Sequence, residues 1–111
     1  MRDMSELVAE QLYERYSYQR TALARQFPFM MGNDVWKGGK KLESNDEVGD
    51  VIATGTLGIG FIGGHNAMVA IYGEGHAHNQ EAWQTLYDAI EVMNDVVREY
   101  KRKYELNYSV L

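Results

Sequence analysis

The sequence predicts an α+β chain, predominantly helical with two or so short strands, and three patterns lead there. Residues 79–104 carry Ala82, Leu86, Ala89, Met93, Val97, Tyr100 and Tyr104 at helical spacing, a continuous apolar stripe. Residues 3–27 repeat the period more loosely, through Val8, Leu12, Tyr16, Leu23 and Phe27. Two short apolar runs, 56–62 and 108–111, have the length and composition of strands.

Each element has its own punctuation. Ser5 or Asp3 can cap the first helix, and Pro28 is expected to close it, because proline has no amide donor and disfavours helix in the residue before it. Residues 28–44 lack a period, yet Phe29, Met30, Met31, Val35 and Trp36 stand close together, which marks an ordered connection. Asn45 can cap a short helix over 46–53 that ends at Gly55. In the run 56–62, Leu57, Ile59 and Phe61 share one face of a buried strand, while Gly58 and Gly60 leave the other open, as in a strand lining a cavity. A short apolar helix is expected from Asn66 to Tyr72, ended by Gly73. The last helix, 79–104, has Asn79 or His78 as its cap and Glu81 in its first turn. Arg98, Lys101, Arg102 and Lys103 lie near its negative end.

Length and composition narrow the functional classes. The 111 residues fit a single segment, 1–111, and 45% hydrophobic content is that of a folded chain. Sixteen carboxylates against eleven Lys and Arg, net charge −5, argue against broad binding to nucleic acid or to an anionic membrane. With no cysteine, disulfides, thiolate metal sites and thiol chemistry are excluded together. No apolar run approaches the roughly 20 residues of a membrane span, and the N-terminus has no apolar signal-peptide core. A cytoplasmic location is therefore expected. The chain stops at Leu111 inside the second apolar run, an ending that reads as cut.

Three groups of residues can carry chemistry. Gly58, Gly60 and Gly63 match G-x-G-x-x-G, but here the glycines alternate with large apolar residues inside the expected strand, and no ribose-binding acid follows on a second strand. His65, His76 and His78 are the only histidines, and His76-Ala77-His78 offers two nitrogens where a metal needs three or four oriented ligands. No metal site and no catalytic residue are expected within the chain. Gly63, Gly64, His65 and Asn66 are the candidate substrate-binding residues. Two glycines leading into a helix expose free amides that can hold an anion, with His65 and Asn66 at the rim. The alternative is a tight strand-to-helix turn in which the glycines serve backbone geometry alone.

Longer words of the sequence point to a family. Gln26-Phe27-Pro28-Phe29-Met30-Met31-Gly32 with Val35-Trp36 resembles the "NFPFLMGQGVW" stretch of anaerobic (class III) ribonucleoside-triphosphate reductases. Residues 45–51 are similar to that family's "NDEVGEV", residues 55–63 to its "GTLSIGFIG", and residues 106–111 to its "LNFSLL". Leu12-Tyr13-Glu14-Arg15-Tyr16 resembles "LLERYE", so the likeness runs in order along nearly the whole chain. It departs at Gly64-His65-Asn66, where many members read Leu-Ala-Glu.

The resemblance implies a fragment of a ten-stranded α/β barrel, with 56–62 and 107–111 as barrel strands and 79–104 in the crossover between them. It implies a glycyl radical enzyme that reduces ribonucleoside triphosphates anaerobically. A radical S-adenosylmethionine activase makes the glycyl radical, a finger-loop cysteine abstracts the 3′ hydrogen, and formate is the common reductant. Family members also carry ATP or deoxynucleotide effectors and a structural zinc on four cysteines. This segment has no cysteine and no radical-glycine motif. The expectation is a truncated piece of the reductase, inactive in isolation and holding no cofactor of its own. The competing expectation is a small helical module that associates without catalysis. Under either, an exposed stripe on the helix 79–104 predicts a homo-oligomer, a dimer through that helix, unless residues 28–44 fold back to cover it.

Overall fold

The computed structural model describes residues 1–111, and the chain is 60% helical with two short parallel strands. It forms two compact units. One comprises residues 1–9 and 57–111, the other residues 10–56.

The helix expected over 3–27 is shorter. Helix α1 spans Arg2–Gln19, and the chain then leaves helical geometry. The amides of Ala24 and Arg25 donate to the Asp46 and Ser44 carbonyls at 2.8 and 3.0 Å, and Val48 N donates to the Ala22 carbonyl at 2.9 Å. An antiparallel bridge joins Leu23 to Glu47. These partners lie about twenty residues or more away in the sequence and override the local helical period. Neither Ser5 nor Asp3 is an N-cap. Ser5 Oγ donates instead to the Met1 carbonyl at 2.9 Å, inside the helix.

Pro28 opens a helix rather than closing one. It occupies the first turn of α2, Pro28–Gly32, where the missing amide costs nothing and the ring's φ already suits a helix. Short 3-10 turns at Ala24–Gln26 and Gly39–Lys41 flank it, so the connection 28–44 is ordered as expected. Ala24, Met31 and Val48 form a small core lined by Phe27, Trp36 and Leu42, with the Phe27 and Trp36 rings 5.1 Å apart. Helix α3 is a single turn, Gly49–Ile52, that follows Val48 rather than an Asn45 cap. The turn before it closes through Asp46, whose carboxylate accepts from Glu43 N at 2.8 Å.

The other unit holds the sheet and the long helix. Strand β1 is Thr56–Ile59, shorter than the expected 56–62. Ile59 is buried, whereas Phe61 lies outside the strand and Ile62 is fully exposed. The strand ends where its partner does: β2, Asn107–Val110, is the other strand of this sheet, and the last bond between them runs from Leu111 N to the Ile59 carbonyl at 2.8 Å. The glycine face of β1 is not an open cavity wall. A Cβ at Gly58 would lie 2.8 Å from Leu111 Cδ1, so the Leu111 side chain occupies that face.

Helices α4, Gly64–Tyr72, and α5, Gln80–Tyr104, connect the parallel strands. Gly73 at φ 80° ends α4, and Asn79 caps α5 by accepting from Ala82 N at 3.0 Å. Both α4 and β2 pack on α5. Met93, Val96, Val97 and Tyr100 are buried, so much of the stripe expected to drive dimerisation is covered within the unit. Within the unit its cover comes from β2 and α4. Tyr108 on β2 packs its ring 6.0 Å from Tyr100 and donates its hydroxyl to the Ala9 carbonyl of α1 at 3.0 Å.

Candidate functional site

The four residues 63–66 sit at the junction of β1 and α4. Gly63 has φ 88°, a left-handed conformation open to glycine at little cost, and it turns the chain from the strand exit into the helix. The first intrahelical bond runs from Ala67 N to the Gly63 carbonyl at 2.9 Å. The amides of Gly64, His65 and Asn66 therefore have no acceptor within the helix, and no side chain caps them. Gly63, His65 and Asn66 are exposed and Gly64 is half-buried, so these donors stand at an accessible rim. Gly64 is closely packed: a Cβ there would lie 2.9 Å from Phe61 Cε2 and 3.1 Å from Leu86 Cδ1, so those side-chain ends would have to shift to admit one. The strand-to-helix turn and the row of free amides are thus the same feature, and α4 begins at Gly64 rather than at Asn66.

The glycine motif reads differently in three dimensions. Because β1 ends at Ile59, Gly60 and Gly63 lie in the turn between strand and helix, not within a strand. Leu111 nevertheless covers the Gly58 and Gly60 face, where the backbone would have to approach a pyrophosphate.

The histidines pair in a way that spacing alone did not suggest. His65 and His76 meet edge to face, ring centroids 5.9 Å apart and planes at 76°. His76 Nδ1 is buried and has no hydrogen-bond partner. His76 and His78 line a shallow depression of about 530 Å³ with Ala77, Asn79, Gln80 and Trp83, which none of residues 63–66 reaches. No group of three histidine, aspartate or glutamate side chains converges on a point where a metal could be held. With no cysteine either, the chain offers nothing that fits a four-cysteine zinc site.

Sequence reasoning passed over Gly75, which is buried against the His65 ring, and the stacked pair Trp83–Tyr87 on α5, 5.2 Å apart at 19° and half exposed. It also missed the 2.6 Å hydrogen bond between the Tyr72 and Thr85 hydroxyls that ties α4 to α5. Trp83 and Tyr87 were findable, standing four residues apart on the flank of the α5 stripe.

A family model described as anaerobic ribonucleoside-triphosphate reductase matches residues 1–111, every residue of the chain. The chain belongs to that family. No curated protein matches it. The match includes the stretches Gln26–Trp36, 45–51 and 55–63. No helix of this reductase segment is long and apolar enough to cross a membrane.

Proposed function

We propose that the chain is a piece of the catalytic barrel of a cytoplasmic anaerobic ribonucleoside-triphosphate reductase, with Gly63, Gly64, His65 and Asn66 lining the pocket that holds substrate phosphates. The observation that carries the reading is the family match along the whole chain. Parallel strands β1 and β2, joined through α4 and α5, support it, since parallel strands occur in sheets covered by such helical crossovers. The exposed Ile62 and Leu111 at the strand ends suit neighbours in a larger barrel.

In this reading residues 63–66 do not perform the radical step. Their amides at the N-terminus of α4 bind and orient negative oxygen atoms, and the helix dipole favours the charge. Hydrogen abstraction from the ribose needs a thiol that can lose and regain a hydrogen atom, and none of the six methionines has an S–H bond. The glycyl radical, formate, effector nucleotides and the activase belong to the intact enzyme. These 111 residues alone are expected to make no deoxynucleotide when incubated with activase, S-adenosylmethionine, formate and ribonucleoside triphosphate. Placing them in a full-length family reductase in exchange for its matching segment tests the barrel reading. Retained ribonucleotide reduction supports it, and a folded chimera without activity overturns it.

A second reading, a homo-oligomeric module without catalysis, is favoured by one observation. Trp83 and Tyr87 remain stacked and half exposed on α5, although the stripe beside them is largely buried. Light scattering at micromolar concentration tests it. A dimeric mass that reverts to 12.7 kDa in Trp83→Glu/Tyr87→Glu supports association through α5, and a monomeric parent refutes it.

A further inference from the structure

We infer that Gly75 is a positioning residue for His65: its missing side chain leaves the space occupied by the imidazole, which the first turn of α4 carries. This rests on the anion-binding reading of residues 63–66. A Cβ built at Gly75 would overlap the His65 ring at Cε1 and Nδ1, so no residue with a side chain is compatible with the ring where it stands. The backbone does not demand glycine here. Positive φ angles occur at Gly38, Gly63 and Gly73 but not at Gly75, which leaves space as the reason for glycine.

The seat has a second wall. The His76 ring meets His65 at 5.9 Å and 76°, and both Gly75 and His76 belong to the loop between α4 and α5. His65 itself occupies the second position of α4, directly after Gly64, and the left-handed Gly63 caps the helix start. Gly63 thus turns the chain into the helix, and Gly75 leaves room for the imidazole. An imidazole already held in one rotamer gives up no side-chain entropy when an anion arrives, whereas a free one must be ordered first. The loop 73–79, remote in sequence from residues 63–66, therefore sets how well His65 can act at their rim.

The test uses the full chain, isotope-labelled, with inorganic phosphate as the probe. In the parent, phosphate is expected to shift the amide signals of Gly64, His65 and Asn66. Gly75→Ala should weaken that binding about threefold by releasing the ring, and His65→Ala about tenfold by removing it. The double variant should bind as His65→Ala does, because Gly75 acts only through the ring. Additive losses, or parent-like binding in Gly75→Ala, overturn the positioning role. A parent chain whose amides ignore phosphate overturns the anion-site reading instead. The seat is read separately from the His65 ring resonances: they should move and lose their contacts to His76 in Gly75→Ala, and unchanged resonances there refute it whatever phosphate does.

Discussion

Tyr108→Phe isolates one atom that links the two ends of the sequence. The Tyr108 side chain is 3% exposed, its ring packs on Tyr100, and its hydroxyl donates to the Ala9 carbonyl at 3.0 Å. Phenylalanine keeps the ring and its packing, so the expected loss is that of one buried neutral hydrogen bond, about 0.5–1.5 kcal/mol. For a chain of this size that corresponds to a fall in Tm of about 2–6 °C. Tyr108→Ala also removes the ring and should cost about 3–5 kcal/mol, a large share of the ~5–15 kcal/mol that holds a typical domain together. Thermal unfolding followed by far-ultraviolet and aromatic circular dichroism measures both, with the half-exposed Tyr87→Phe as a control that should stay within about 1 °C. A Tyr108→Phe chain that melts with the parent would refute the argument that α1 is docked on β2 through this bond.

Other expectations test the elements that shape the site. Asn79→Ala should cost about 1 kcal/mol by removing the α5 cap, with Asn79→Asp recovering most of it in urea unfolding. Two glycines should respond with opposite signs. Gly73→Ala meets open space but a φ of 80°, and should destabilise by about 1 kcal/mol, seen as earlier fraying of α4 in hydrogen exchange. Gly32→Ala meets open space inside a helix without positive φ, and should raise the denaturation midpoint by an amount worth about 0.4–1 kcal/mol.

The elements most legible in the sequence were those whose signals are local. The α5 stripe gave its helix an end at Tyr104, and the Asn79 cap and the Gly73 terminator act on neighbouring backbone within a few residues. The ordered connection 28–44 was visible because its apolar residues had to be buried somewhere. The candidate site was half legible. Two glycines before an apolar helix announced the turn at 63–66, but Gly75, which holds His65, carries no local pattern of its own.

What misled was partnership at a distance. Residues 20–27 have a helical period, yet the amides of Ala24 and Arg25 bond to the Asp46 and Ser44 carbonyls, and local propensity yields to these bonds and to the burial of Ala24. Pro28 is equally able to stop a helix or to start one, and only the preceding backbone decides which. The run 56–62 is apolar throughout, but a strand lasts only as long as its neighbour, and β2 supports it to Ile59.

The sequence by itself determined the family, the helical character and the absence of cysteine. Each of these depends on residue identity or on neighbours within one or two turns. Only the tertiary structure decided which histidines meet, which face of β1 is closed by Leu111, and what covers the α5 stripe. Those are contacts between segments far apart in the chain, and the packing of the folded unit selects them by burying apolar surface that no local pattern assigns to a partner.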